Sequence, residues 1–399
     1  MTLYTQEWGA MTQTFRKILT RDFVLCFLSQ FAFTFAAFSL IPTLPIYLLR
    51  LGSTEVEIGI LIGVSGVSSL VIRPFTGRAL VRIPEKSFMS AGALLFGITS
   101  IAYSFAPPFW PFLIVRVFQG IGFAFFTTAS FTLIANISPA AHRGQSIGYF
   151  ILAFTISGAL APPLGMWLIN HFSFELFFLV CMGLSLCSLL ITHPLERRPS
   201  VPLEDSSLKD GLLLSRKALQ PSITGFFPFF IWGALTTFFP LYAINHGVAN
   251  PGFFFTTVAM MLILGRVFGG RILDLYDRER IIMPSIAPYI LSMAILAYSK
   301  TLPMFILVAV IYGIGPAFLV PALMAHALDR GASPGPAMGT FQAVTDLGVC
   351  LGPVMMGIII HSANYSVMFL CLALTGLINL IYFYFFGRKK GRSGSEGAS

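Results

Sequence analysis

Long apolar runs broken by short polar stretches repeat along the whole chain. Twelve can be marked, over about 22–49, 57–81, 87–106, 109–136, 145–170, 174–193, 222–245, 252–273, 282–299, 303–328, 336–360 and 365–386. Each is long enough to cross a bilayer core of roughly 30 Å as a helix. A transmembrane barrel would need short alternating segments instead, and the sequence has none. The pattern predicts an all-α integral membrane protein with twelve transmembrane helices.

The runs carry an internal echo. Residues 73–78 read R-P-F-T-G-R and residues 266–271 read R-V-F-G-G-R, an offset of 193. Gly120-Ile121-Gly122 is answered by Gly313-Ile314-Gly315 at the same offset, and Pro45-Ile46-Tyr47 with Gly52 by Pro240-Leu241-Tyr242 with Gly247. Duplicated membrane domains with a solute site between the copies are a common plan for secondary transporters. The expected division is a six-helix bundle over 1–193, a linker over 194–221, a second six-helix bundle over 222–387 and a tail over 388–399. The linker is rich in proline, serine and mixed charge, with a short surface helix expected at 207–219. The tail is basic, then Gly/Ser-rich, and is expected to be disordered.

Composition sharpens this picture. The chain is 56% hydrophobic and 10% charged, against about 25% charged in an ordinary soluble domain. Its net charge of +9 could suggest a nucleic-acid partner, but the basic residues sit on alternate loops. Arg16, Lys17, Arg21, Arg78, Arg82, Lys86, Arg143, Arg197, Arg271, Arg330 and Arg388 fall on one side, Arg50 and Lys300 on the other. This positive-inside bias predicts that both termini are cytoplasmic. The first 21 residues are polar and basic, unlike a cleavable signal peptide. Cys26, Cys181, Cys187, Cys350 and Cys371 all lie in apolar runs without C-x-x-C spacing, so neither metal, cofactor nor disulfide is expected.

Four local patterns carry chemistry. The segment after the second run reads Gly77-Arg78-Ala79-Leu80-Val81-Arg82, and its second-half copy reads Gly270-Arg271-Ile272-Leu273-Asp274. The fourth run opens Arg116-Val117-Phe118-Gln119-Gly120-Ile121-Gly122. The fifth carries Gly148, Ser157, Ala161-Pro162 and Gly165, and the eleventh Gly348, Gly352-Pro353 and Gly357. With these patterns the chain resembles the major facilitator superfamily (MFS) over essentially its whole length. The fold implied is two pseudo-symmetric six-helix bundles, and the nearest type is the proton-coupled drug or metabolite exporter.

The resemblance implies roles for particular residues. The loop signature would place Arg73, Gly77, Arg78, Arg82, Arg266, Gly270, Arg271 and Asp274 at an inner gate. Val81 stands where the family has an acid, so the first half departs from the family's latch. Positive-inside anchoring is the plainer account of these arginines. The helix-4 signature implies a part for Arg116 in proton relay, alongside Gln119, Gly120 and Gly122. An arginine inside a spanning helix costs at least about 2.5–3.5 kcal/mol unless it finds water or a partner, and snorkelling to the outer interface is the alternative. The helix-5 signature, with Ser157 and Ala161 replacing glycines, is the family's antiporter pattern. Tight small-residue packing with bending at Pro162 and Pro353 would also account for it.

Asp346 is the acid placed deep in an apolar run, and an ionisable group there is a candidate for binding and releasing protons. A structural bond to Gln342 or Arg116 is the alternative. The middle of the first run, Phe31–Phe38, has no acid, which disfavours a strongly cationic solute. Gln30, Phe31, Thr34, Phe38, Phe230, Trp232 and Gln342 are the expected pocket wall. No P-loop, H-E-x-x-H or G-x-S-x-G appears, so neither ATP-driven transport nor hydrolysis is indicated.

The expectation is a monomeric, multi-pass protein of a bacterial inner membrane that exchanges protons for a small organic molecule by alternating access. The solute would be an amphiphilic drug or a secreted metabolite such as a siderophore. Proton-linked uptake, a non-transporting receptor or partner subunit, and lipid flipping are the alternatives.

Overall fold

The computed structural model describes residues 19–139, 143–196, 216–275, 278–330 and 334–387. Among them are twelve long helices: α1 Arg21–Arg50, α2 Glu55–Ala79, α3 Glu85–Ala102, α4 Trp110–Ile137, α5 Arg143–His171, α6 Phe174–Thr192, α7 Leu219–Asn245, α8 Gly252–Leu275, α9 Arg278–Leu296, α10 Leu302–Arg330, α11 Pro334–Ser362 and α12 Tyr365–Tyr382. Ten candidate spans are long and apolar enough to cross a membrane; helices α3 and α8 fall short of that standard over their described lengths. The linker core at 197–215 and the tail at 388–399 lie outside the described residues, as do the side chains of Arg266, Gly270, Arg271 and Asp274.

Local chemistry sets where helices start. Thr20, Ser173 and Asn364 accept the backbone N–H of Phe23, Leu176 and Val367, and Thr54 with Glu57 forms a reciprocal capping box. Apolar sequence then carries each helix onward, because a bilayer leaves the backbone no other way to satisfy its polar groups. Gly52 and Gly247, the echoed glycines, both sit at positive φ (85° and 77°) just after α1 and α7. A side chain there would be strained, so the turn itself explains both glycines.

Packing repeats the sequence echo. Helix α1 packs on α5 and α6, α2 on α4, and α3 on α4 and α6; adding six to each label gives the pairings of the second half. Tyr47 Oη donates to the carbonyl of Tyr103 at 3.1 Å, and its echo Tyr242 donates to that of Ser299 at 2.7 Å. In both halves one hydroxyl fastens the end of a first helix to the end of a third. Gly120 lies against Ser65 and Ser68 of α2, while Gly122 lies against Gly92 and Phe96 of α3. Their echoes Gly313 and Gly315 lie against Met261 of α8 and Tyr289 of α9. Lipid tails are as apolar as leucine, so close backbone approach and interhelical hydrogen bonds hold such bundles.

Polar side chains of α1 supply part of that adhesion. Ser29 bonds Ser188 and Thr192 of α6 at 2.9 and 2.7 Å. Thr34 donates to Ser157 of α5 at 3.0 Å, and Ser130 of α4 donates to Gln30 at 2.6 Å. Phe33 stacks on Phe126 with centroids 4.0 Å apart.

The halves meet along α2 with α11, α5 with α8, and α1 with α7. Helices α2 and α11 run antiparallel: Gly59 lies against the carbonyl of Pro353, a Cβ on Gly63 would come within 2.7 Å of the Cys350 carbonyl, and one on Gly357 within 2.6 Å of the Glu55 carbonyl. At the same end of the bundle Asn170 donates to Ala249 (2.7 Å), Asn250 to Pro163 (3.1 Å) and Thr256 to Ala159 (2.6 Å), joining α5 to α8 and the turn before it. We call this the far end, opposite the start of α1. Toward the terminal end, a Cβ added to Gly77, Gly148 or Gly339, on α2, α5 and α11, would meet nothing within 4 Å. Gly77 and Gly148 therefore make no close approach to a neighbouring helix in this conformation. The seam is shut at one end and parted at the other.

Candidate functional site

Where the seam parts lies a cavity of about 270 Å³, lined by α1, α2, α3, α4, α7 and α11. That is slightly below the roughly 300–1,000 Å³ common for small-molecule sites. Its apolar wall includes Phe38, Phe96, Phe123 and Trp232. Its polar lining includes Ser65, Ser69, Arg73, Arg116, Gln119, Thr236, Thr237 and Asp346.

Two arginines face this space in different ways. Arg116, only 8% exposed, is pinned to α2. Its Nε donates to Leu61 O at 2.8 Å, and its Nη2 to Ile62 O at 2.9 Å and Ser65 Oγ at 2.5 Å. Its Nη1 donates to Gln119 Oε1, which also accepts from the buried Tyr103 hydroxyl. A guanidinium only donates, so the Gln119 oxygen must face it. That orientation leaves Gln119 Nε2 as a buried donor without a partner among the described residues. No carboxylate pairs with Arg116 among the described residues. The side chain thus neither snorkels outward nor meets Asp346; neutral acceptors hold it, and its charge is uncompensated.

Arg73 takes the acid instead. Its Nη1 lies 3.5 Å from Asp346 Oδ2, with the two side chains 32% and 28% exposed. Arg73 Nε also donates to Ser69 Oγ at 3.4 Å. The pair spans the two halves just past the last close contact of α2 with α11, where Gly66 meets the Cys350 sulfur. An expected gate residue and an expected proton-binding residue are therefore partners in one cavity.

Other expected positions fall elsewhere. Of the expected pocket wall, Phe38 and Trp232 line the cavity. Gln30 and Thr34 bond neighbouring helices, Phe31 packs on Phe35, and Phe230 lies against Gly352. Polar groups in a bilayer are bonded to the nearest helix, which is why that face of α1 is adhesive rather than receptive. Gln342 is exposed one turn from Asp346, and Arg78 and Arg82 are exposed at the terminal end. Ala161 is buried, Pro162 lies beside Gly252 at the shut end, and Gly165 packs on Ser39. The sequence reading missed Ser65 and Ser69. A stripe at i, i+4 and i+8 through Ser65, Ser69 and Arg73 on an apolar helix was the available signal.

The pinning of Arg116 makes a prediction. Arg116→Lys keeps the charge but cannot reproduce a planar fork across Leu61, Ile62, Ser65 and Gln119. Hydrogen bonds to charged groups contribute about 1.5–3 kcal/mol each, so the purified variant should melt several degrees below wild type. An unchanged Tm would show that the α2–α4 contact does not depend on this fork.

A family model described as Major Facilitator Superfamily matches residues 26–333 and 248–399. Over 349 residues the chain is 24% identical to the staphylopine export protein of Staphylococcus aureus, covering 83% of this chain and 87% of that one. It is 22% identical over 333 residues to the quinolone resistance protein NorA of Staphylococcus aureus, covering 79% and 84%. The crystal structure of the nucleoside transporter NupG is similar in fold, with a TM-score of 0.73, 16% identity, and coverage of 92% and 100%.

Proposed function

The chain belongs to the Major Facilitator Superfamily, and from that premise we propose that it exports a small organic molecule in exchange for protons. It is a multi-pass membrane transporter and not an enzyme. The single observation that carries the transport reading is the seam cavity. It is shut at the far end, parted toward the terminal end, and holds an ion pair between the halves. With the termini in the cytoplasm, as the basic loops indicate, this is a cytoplasm-facing site ready to load. Rocking the halves about the cavity presents the solute to the other side. The names of the two relatives, a staphylopine export protein and a quinolone resistance protein, support the outward direction. We take the protein to act as a monomer in a bacterial inner membrane, with protons as the coupling ion and without nucleic acid.

Everted membrane vesicles test this directly. Vesicles acidified inside should accumulate a fluorescent quinolone or another amphiphile from a small panel, and collapse of the gradient should release it. Accumulation only when the gradient is reversed would instead support proton-linked uptake. That second reading draws on one observation, the two guanidiniums against one carboxylate in the cavity, which would favour an anion arriving with a proton.

A further inference from the structure

Resting on the transport reading above, we propose that the solute is a zwitterion. It carries an ammonium and a carboxylate on an apolar body, and binds by exchanging partners with the Arg73–Asp346 ion pair. The cavity presents one fixed charge and one exchangeable pair. Arg116 is fixed, because four groups of α2 and α4 hold its guanidinium. The pair is exchangeable, because a single contact of 3.5 Å joins two side chains each about a third exposed. Such pairs gain little over their solvated, separated forms.

The consequences differ by solute charge. An anion that takes Arg73 strips Asp346 and leaves a carboxylate without a counter-charge. A cation that takes Asp346 strips Arg73 and leaves two guanidiniums facing one cavity. A solute with both groups replaces each lost partner, so neither Arg73 nor Asp346 is left without a counter-charge. Its carboxylate end is drawn toward α2 and α4, where Arg116 adds attraction and Gln119 Nε2 is an unpaired buried donor. Its ammonium end lies toward α11, and Phe38, Phe123 and Trp232 take the apolar body.

The same exchange makes protons and solute rivals. Asp346 receives an ammonium only when ionised, so a protonated Asp346 excludes the solute. The charged or titratable lining around it is Arg73 on α2, Arg116 on α4 and Cys350 on its own helix. Helix α7, packed against α11, contributes Trp232, Gly233, Thr236 and Thr237, and among the described residues none from α10 or α12 lines it. Mutual exclusion of proton and solute at one carboxylate is the requirement for exchange.

The test uses three probes with one aromatic body: phenylalanine, phenylalaninamide without the carboxylate, and N-acetylphenylalanine without the ammonium. Full-length protein in nanodiscs should be stabilised by the zwitterion at concentrations at least tenfold below either blocked form. Its binding to protein prepared at mildly acidic pH should release protons into weakly buffered solution. Asp346→Asn should abolish both the preference and the release, while Asp346→Glu, which keeps the charge, should retain them and guards against a folding defect. Equal or better binding of a blocked probe, or no thermal shift with any of the three, overturns the proposal. Binding in nanodiscs needs no gradient, so failure here with gradient-driven flux intact removes only the solute class. Zwitterion preference without flux removes the transport reading instead.

Discussion

Asp346→Asn is expected to abolish gradient-driven accumulation in everted vesicles while leaving the protein folded. Asparagine matches the shape of aspartate but cannot be ionised, so the cavity loses the group on which a proton and a solute compete. The stability effect should be small: the pair with Arg73 is partly exposed at 3.5 Å, and such pairs contribute at most about 1 kcal/mol. Flux at a fixed gradient should fall at least tenfold, and what remains should lose its dependence on pH. The double variant Arg73→Asp with Asp346→Arg separates two roles. If the pair only ties α2 to α11, reversing it should restore flux; if the acid must stand on α11, it should not. Wild-type flux in Asp346→Asn would refute the coupling role.

Much of the fold was legible because a bilayer imposes strong rules on sequence. Apolar runs gave helix positions to within a few residues. The echo from Gly120-x-Gly122 to Gly313-x-Gly315 became the same close approach in both halves. The sequence echo of Tyr47 and Tyr242 corresponds to matching hydrogen bonds in the two halves. Partnerships were less legible. Arg73 was marked by its repeated motif and Asp346 by its depth, yet nothing in the chain pairs two residues on helices so distant in sequence. Their meeting depends on the angle between halves, which is a tertiary property. Gln30 and Thr34 misled for a related reason: a polar side chain in an apolar helix looks the same whether it faces a neighbour or a solute. Gly77 and Gly148 show the limit set by conformation, since a residue suited to packing stands open when its interface is parted.

Gly59→Ala should shift which side of the membrane the cavity faces without unfolding the protein. A Cβ at Gly59 would collide with the carbonyl of Pro353 across the shut end of the seam. The Cβ is fixed by its own backbone and the carbonyl is backbone itself, so no side-chain rotation relieves the clash, and overpacking of this kind costs about 1–3 kcal/mol. The cost applies only while α2 and α11 touch there; a conformer parted at the far end avoids it. Because 1.4 kcal/mol is a factor of ten, the shut population should fall by roughly five- to a hundredfold relative to the parted one. Cys350 is a native reporter, since it lines the cavity and its sulfur abuts Gly66 on the shut side. With Cys350 as the sole cysteine, a membrane-impermeant maleimide added at the far side should label Gly59→Ala faster than the parent. Gly120→Ala is the control: its Cβ would strike Ser65 and Ser68 within one half, where parting the halves brings no relief. That variant should lose Tm and keep the labelling preference of the parent. If both variants instead lose stability alike and neither changes labelling, the α2–α11 contact is fixed scaffold rather than a gate.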